Sequence, residues 1–369
     1  MLIIAVKKMK SKKNLIITTI VVLLGVATVL VVLLRGRSRT FSQDFQIEAA
    51  AHPGRVSKIY MADKENHQVV LEYVSDSVWL VDGLYPASYP MVELMLQTLS
   101  DMRIRNQVNK SAAQNVTKQM AAKSVKVEVY YKDYRINWFK GKFRLFPFVN
   151  RDVIYVGHDT QDMMATYMYR EGDRTPYIVN IPGFRGCLSP RFVVDSYAWR
   201  SHSIVSLPVQ RIAKVELQIP SQPEESFLIE REGEGFVFNK LNPLKRMDGF
   251  DTARVAQLLS SFVNLNFDEF AKVVPQVELD STFAASPRTI LKVTDIEGNT
   301  KTLKTYIKYS NPDDLVTMPD TSMYQVFDIN RLYAILDDKD TVLIQYYIFD
   351  NILQPASFFL GREHTYFAR

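Results

Sequence analysis

The sequence predicts an α+β protein in which a single N-terminal transmembrane helix precedes two tandem duplicated repeats. Each repeat is expected to be a mostly antiparallel twisted sheet with one or two packed helices. An uncharged run of 20 residues lies near the start, and alternating apolar and polar residues follow it in two similar series of hairpins. Each series contains one stretch with helical apolar spacing. The 369 residues exceed one ordinary domain, which also favours two repeats.

The uncharged run spans residues 15–34 and predicts a membrane anchor, since its 20 residues would cover roughly 30 Å as a helix. Residues 1–14 contain five lysines, whereas residues 35–39 contain three arginines, and this excess favours a cytoplasmic N-terminus. A cleaved signal peptide is the alternative, but the apolar run is longer than is typical and no A-x-A site follows. Met9 offers a second possible start. We expect a single-pass protein of the bacterial inner membrane whose bulk lies in the periplasm.

The basic character of the chain comes from this anchor. The net charge is +5, but the first 39 residues contribute eight positive charges and no negative ones, which leaves −3 for the rest. The charge therefore gives no support for nucleic-acid binding. The single cysteine, Cys187, excludes an internal disulfide and a cysteine-based zinc site.

The two repeats are predicted at 55–206 and 207–354, after a polar linker at 35–54 and before a tail at 355–369. Val56–Ile59 and Ile212–Val215 open the two copies with similar sequences, VSKI and IAKV. In each copy a hairpin follows, with turns at 63–66 and 75–77 in the first copy and at 233–235 in the second. Trp79 lies in the second strand of the first copy.

One amphipathic helix is predicted in each copy. Apolar residues recur at i, i+3, i+4, i+7 and i+10 in both, at a constant offset of 163 residues, and form one stripe per helix. The stripes are Val92, Met95, Leu96, Leu99 and Met102 in the first copy and Val255, Leu258, Leu259, Phe262 and Leu265 in the second. Ser88 and Asp251 are the matching N-cap candidates.

A second hairpin follows each helix, with turns expected at Lys132-Asp133 and at 297–299. The first copy then has an extra basic and aromatic stretch at 139–156, which reads either as a long solvated hairpin or as a docking surface. Pro147 argues against a central strand there. The candidate surface residues in this stretch are Lys140, Lys142, Phe143, Arg144, Phe146, Phe148 and Arg151.

A second group of candidate interaction residues follows a Gly- and Pro-rich turn. It comprises Arg185, Arg191, Trp199 and Arg200, which suit either structural packing or recognition of an anionic group. No catalytic, cofactor or metal site is predicted. Cys187 has no histidine in a recognised motif with it, and the five histidines lack ligand spacing.

Several short segments resemble a family of bacterial envelope proteins catalogued as a domain of unknown function. These segments are Val56–Ile59, Trp79, Thr166–Met168, Pro176–Val179, Gly183-Phe184 and Trp199-Arg200. Related domains occur in extracytoplasmic regions of accessory proteins of a gliding-motility-associated ABC transporter. The resemblance implies an anchored, non-catalytic periplasmic role and carries over no site residues.

These observations predict a membrane-anchored periplasmic interaction protein of the kind found as a subunit of an envelope or transporter complex. Its expected partners are the membrane and another envelope protein. The alternative is a periplasmic module that binds a glycan, peptide or cell-wall fragment in a cleft between the repeats. An enzyme is the third hypothesis, because carboxylates distant in sequence could still meet in the fold.

Overall fold

The computed structural model describes residues 18–28, 45–52, 54–75, 77–138, 143–272, 274, 276–309 and 327–361, without the side chains at 137–138, 143–144 and 276–278. Residues 18–28 are helical, and their apolar side chains are exposed. The remainder of the predicted transmembrane segment 15–34 and all of segment 1–14 lie outside the described residues. Within the described part of the chain, no helix has the length and apolar character that a membrane crossing requires.

The chain divides into two units after Ser201. The strands of the first unit are β1 (Val56–Ala62), β2 (Gln68–Ser75), β3 (Val78–Val81), β4 (Tyr85–Pro86), β5 (Arg103–Gln107), β6 (Val125–Trp138), β7 (Phe143–Asp159), β8 (Thr166–Arg170) and β9 (Tyr177–Asn180). They form one antiparallel sheet in the order β4-β3-β2-β1-β6-β7-β8-β9-β5. The predicted mostly antiparallel sheet is therefore confirmed.

Helices cover both faces of this sheet. They are α1 (Tyr89–Asp101), α2 (Lys110–Lys123) and a short α3 (Ser196–Trp199). The stripe of α1 is buried in the main core together with Met168 of β8. Helix α2 packs through Val116 and Met120 against Tyr167 and neighbouring side chains. Because successive residues of a strand face opposite sides, α1 and α2 lie on opposite faces of β8.

The second unit repeats this plan. Its strands are β10 (Ser203–Val205), β11 (Ile212–Gln218), β12 (Phe227–Glu232), β13 (Gly235–Leu241), β14 (Leu244–Met247), β15 (Leu265–Asn266), β16 (Glu269–Phe270), β17 (Thr289–Asp295), β18 (Thr300–Tyr309), β19 (Phe327–Leu336) and β20 (Asp340–Gln345). Its helices are α4 (Thr252–Ser261), α5 (Gln276–Phe283), α6 (Tyr346–Phe349) and α7 (Ala356–Phe359). The large sheet has the order β14-β13-β12-β11-β17-β18-β19-β20-β16, and β10 pairs with β15.

The two large sheets have the same order when their strands are matched along the chain. Strands β1 and β11 also share one burial pattern, and each has a register shift after its first residue, at Val56 and at Ile212. Both predicted N-caps are confirmed as N-cap residues, although only the side chain of Asp251 accepts hydrogen bonds from its helix. The backbone N–H of Ser88 donates to the carbonyl of Trp199, and that of Asp251 donates to the carbonyl of Phe359.

The structure corrects the predicted domain boundaries. Phe45 and Ile47 of the predicted linker are buried in the first core, because the linker's last residues pack against that unit. Ala356 and Phe359 of the predicted tail are buried in the second core. The predicted boundary at 206 falls after β10, which pairs within the second unit.

The predicted turn at Lys132-Asp133 is also wrong. Both residues lie inside β6, where they pair with Val149 and Phe148 of β7. The strand continues because the next residues, Tyr134 and Ile136, pair with Pro147 and Leu145. The predicted turn at 297–299 does connect β17 to β18, and Gly298 there has a φ of +89°.

Candidate functional site

The long β6–β7 hairpin extends beyond the sheet of the first unit. Strand β6 pairs with β1 no further than Tyr131, and β7 pairs with β8 only between Ile154 and Asp159. The described residues of 132–149, which we call the arm, therefore have no strand partners apart from one another. The matching strands β17 and β18 are joined directly after Asp295 and have no such extension.

The arm exposes apolar side chains on both faces. Phe146 is 63% exposed, Val149 is 64% exposed, and Leu145 and Phe148 are also exposed. Directly paired residues share a face, so Ile136 with Leu145 and Lys132 with Val149 form one side of the arm. Several large apolar side chains exposed on one hairpin favour an interaction site.

The arm holds most of the first group of predicted surface residues. Phe146 and Phe148 lie in it as expected, and Phe146 has a φ of +57° at a point where its pairing with β6 is interrupted. Lys140 and Lys142 lie outside the described residues, as do the side chains of Phe143 and Arg144. Between residues 132 and 149 the sequence has five basic residues and one acid, so this stretch is positively charged.

Arg151 belongs instead to an ion-pair network on the sheet. Its guanidinium lies 3.0 Å from Glu171 and 3.6 Å from Glu128. Burial alone would raise the pKa of Glu128, but hydrogen bonds from Lys126 and Tyr130 and the charge of Arg151 hold that pKa below its ordinary value. This arrangement fixes side chains on the sheet surface and explains Arg151 without a ligand.

The second predicted group, Arg185, Arg191, Trp199 and Arg200, is divided among different contacts. Arg185 is exposed. Arg191 donates a hydrogen bond of 2.8 Å to the hydroxyl of Thr98 on α1, and its guanidinium lies 4.4 Å from the ring centre of Phe184. These contacts attach the Gly- and Pro-rich turn to α1.

Trp199 and Arg200 are also structural. Trp199 is buried in the core, and its indole N–H donates to the carbonyl of Val193 at 2.8 Å. Arg200 is 7% exposed, with its guanidinium 3.8 Å from the ring centre of Tyr85 and 5.3 Å from that of Tyr197. These contacts agree with the interpretation in which Trp199 and Arg200 have a structural packing role.

Cys187 lies in a polar network that disfavours its thiolate. Burial raises the pKa of the thiol, and a hydrogen bond to Asp159 raises it further. The same carboxylate accepts hydrogen bonds from the hydroxyls of Thr166 and Ser189, both at 2.6 Å. A nucleophilic cysteine needs the opposite shift, so this network suits a fixed loop.

One group of possible metal ligands is found among the described residues. Asp63, Glu65 and His67, in the β1–β2 turn, have ligand atoms within 4.8 Å of one another. The carboxylate of Asp63 already accepts hydrogen bonds from the backbone N–H groups of Glu65 and His67 and contacts the ring of His67 at 2.7 Å. The hydrogen bonds of the turn explain why these three side chains lie close together.

Sequence reasoning missed a groove of about 690 Å³ beside α1, lined in part by Tyr73, Trp79 and Tyr89. Two signals for it were present in the sequence. Glu93, Gln97 and Ser100 follow the i, i+4, i+7 spacing of one helix face, on a side away from the apolar stripe. Trp79 was recognised only as a strand residue.

Comparison with known protein families assigns more than half of the chain to one family. A family model described as "Domain of unknown function (DUF4340)" matches residues 79–285, which is more than half of the chain. No curated protein matches the chain. No solved structure matches it either.

Proposed function

The chain belongs to the DUF4340 family, a domain family of unknown function, and on that premise we propose that it is a membrane-anchored periplasmic interaction protein. It acts as a non-catalytic accessory subunit of an envelope or transporter complex. The observation that carries the proposal is the arm, a basic two-stranded extension with exposed Leu145, Phe146, Phe148 and Val149.

The anchored location is supported by residues 15–34. This run is uncharged over 20 residues, and its described part, 18–28, is a helix whose apolar side chains are exposed. Exposed apolar residues on all sides of a helix suit a lipid environment. The lysines before the run favour a cytoplasmic N-terminus and a periplasmic location for both units.

The two units are, in this proposal, copies of one ancestral domain. Their large sheets have one strand order, and β1 and β11 share a register shift at the same position. The arm is a feature of the first copy, since β17 and β18 lack it. A function located in the arm therefore belongs to the first copy and was added to a shared scaffold.

The partner suited to the arm is an envelope protein with an acidic and apolar surface. Apolar side chains on a projecting hairpin bury area on contact, which supplies affinity. The surrounding lysines and arginines favour a surface of opposite charge and raise the association rate.

Photo-crosslinking tests this proposal. In the test variant, p-benzoylphenylalanine replaces Phe146, which has a similar shape and is 63% exposed. In the matched control, it replaces Tyr347 of the second unit, which is 89% exposed. In intact cells we expect one protein adduct from position 146 and none of that size from position 347. In isolated membranes the yield should fall between about 0.1 M and about 1 M salt, because the Debye length shrinks from ~10 Å to ~3 Å.

Two outcomes contradict the proposal. Adducts to lipid alone at position 146 would make the arm a membrane-contacting element. The same protein adduct from both positions would show that the crosslinks arise from random encounters and not from specific binding at the arm.

A further inference from the structure

The groove beside α1 is a concave site within the first unit. Helix α1, the 3-10 helix Glu48–Ala51 and strands β2 and β3 surround it, and its volume is about 690 Å³. That volume lies within the range typical of small-molecule sites. The groove is separate from the arm, so the inference does not rest on the proposed function.

One wall of the groove is aromatic. The rings of Tyr73 and Trp79 pack edge to face, with centres 5.5 Å apart. Tyr89, the first residue of α1, also lines the groove and is 40% exposed. An exposed tyrosine ring beside a packed aromatic pair offers a flat apolar surface to a ligand.

One edge of the groove, along α1, is polar. Glu93, Gln97 and Ser100 all line it from α1, where the i, i+4, i+7 spacing aligns them. They provide a carboxylate, an amide and a hydroxyl along one edge. The described lining residues include this one carboxylate and neither lysine nor arginine.

Trp79 supplies an independent indication of a ligand. The residue is 4% exposed, and no described residue forms a hydrogen bond with its indole N–H. Trp199, the other described tryptophan whose side chain is placed, has this bond satisfied by Val193. Trp79 is also one of the residues that line the groove. A nearly buried indole N–H usually has an acceptor.

The second unit has different residues at the corresponding positions. Arg231 pairs with Phe236 in β12–β13 as Tyr73 pairs with Trp79 in β2–β3. Its guanidinium lies 4.5 Å from the ring centre of Phe236 and donates to the carbonyls of Val209 and Ile212. The polar edge is also lost, because Ala256, Ser260 and Val263 stand where the first unit has Glu93, Gln97 and Ser100. The residues that form the aromatic pair and the polar edge in the first unit are thus replaced in the second.

We propose that this groove binds a neutral saccharide. A sugar ring has an apolar C–H face, which matches the tyrosine and tryptophan rings, and a rim of hydroxyl groups, which matches the carboxylate, amide and hydroxyl of α1. The indole N–H of Trp79 donates to a sugar oxygen. An anionic ligand is disfavoured, because Glu93 is the charged side chain in the described lining.

Calorimetric titration of the full-length protein tests the proposal. The protein is kept in a detergent without a sugar head group, and the probes are cellotetraose and chitotetraose, which separate a plain sugar from an N-acetylated one. We expect Tyr89→Ala to weaken binding of the better probe by about tenfold or more, which corresponds to about 1.4 kcal/mol. Tyr73→Arg, which introduces the residue that the second unit has at this position, should abolish binding.

Tyr347→Ala is the matched control, because it removes an exposed tyrosine from the second unit and should bind like the parent. Circular dichroism checks that each variant is folded, and Tyr89→Ala is informative even if Tyr73→Arg does not fold. Failure of both probes to bind with a Kd below about 1 mM would overturn the proposal. Equal binding by the Tyr89→Ala and Tyr347→Ala variants would also overturn it.

Discussion

Glu128 is a mostly buried carboxylate that the first unit keeps ionised. Burial opposes ionisation, but Lys126, Tyr130 and Arg151 lower the pKa below its ordinary value of 4.5. Such a group stabilises the fold fully above its unfolded pKa, and the contribution is lost as the pH falls through the lower folded pKa. We expect Glu128→Gln to decrease the free energy of unfolding at neutral pH and to change it little in strong acid.

Urea unfolding followed by circular dichroism across that pH range measures the effect. Glu234→Gln, at an exposed glutamate in the β12–β13 turn, is the control and should leave the pH dependence unchanged. Parallel pH profiles for the parent and Glu128→Gln proteins would contradict the assigned role.

Gly157 allows α2 to lie close to β7. A Cβ atom there would come within 2.8 Å of Met120 and 3.0 Å of the carbonyl oxygen of Tyr167. The methionine can move but the backbone cannot, so Gly157→Ala should destabilise the protein by about 1–3 kcal/mol. Gly235→Ala is the matched control, since its Cβ would meet nothing closer than 3.9 Å. Unchanged thermal stability of Gly157→Ala would show that α2 shifts without cost.

Residue chemistry was foreseen from the sequence better than residue location was. The sequence grouped Arg185, Arg191, Trp199 and Arg200 because they follow one turn, yet Arg191 contacts α1 and Arg200 contacts Tyr85 beside β3. Nearness along an irregular segment does not determine spatial contacts, because long-range packing decides them. The groove could not be predicted for the same reason, because its lining residues come from elements that are separate in the sequence.

At the scale of elements, the α1 stripe makes a direct prediction. Leu99 is fully buried under the sheet, whereas Leu94 on the same helix is exposed. Leu99→Ala should lower the free energy of unfolding by about 2–5 kcal/mol, because it leaves a cavity in the main core. Leu94→Ala should change it by no more than about 0.5 kcal/mol. Urea titration measures both, and similar losses for the two variants would contradict the assigned helix face.

Helices were predictable here because their apolar period is set by local geometry. The two predicted stripes follow one spacing and are largely buried, although Met102 lies just after α1, Phe262 just after α4, and Leu265 in β15. The β6–β7 hairpin was misplaced because Lys132-Asp133 is a polar pair typical of turns, whereas cross-strand pairing carries β6 through it to Trp138. Strand length depends on partners that a local pattern does not contain.

At the scale of the whole molecule, the two units share one strand order in their large sheets but differ in detail. The first unit has an arm where the second has the β17–β18 turn, and Tyr73 beside its groove where the second has Arg231. The near-constant spacing between similar segments in the sequence predicted two repeats, and the chain does divide into two units. The first and last residues of the two units could not be predicted from the sequence. Phe45 and Phe359 lie in short segments without periodicity, and only tertiary contacts bury them.

The main core of the second unit is built entirely from residues between 204 and 360. We therefore expect a fragment of residues 202–369 to fold by itself, with cooperative thermal unfolding and dispersed amide NMR signals. Shortening it to 202–354 removes α7, whose Phe359 is fully buried with its ring centre 5.1 Å from that of Phe227. Losing this side chain alone costs about 3–5 kcal/mol, a large part of a typical stability of about 5–15 kcal/mol. The shorter fragment should unfold at a much lower temperature. Equal melting of the fragments ending at 354 and 369 would show that this segment is the dispensable tail that its sequence suggests.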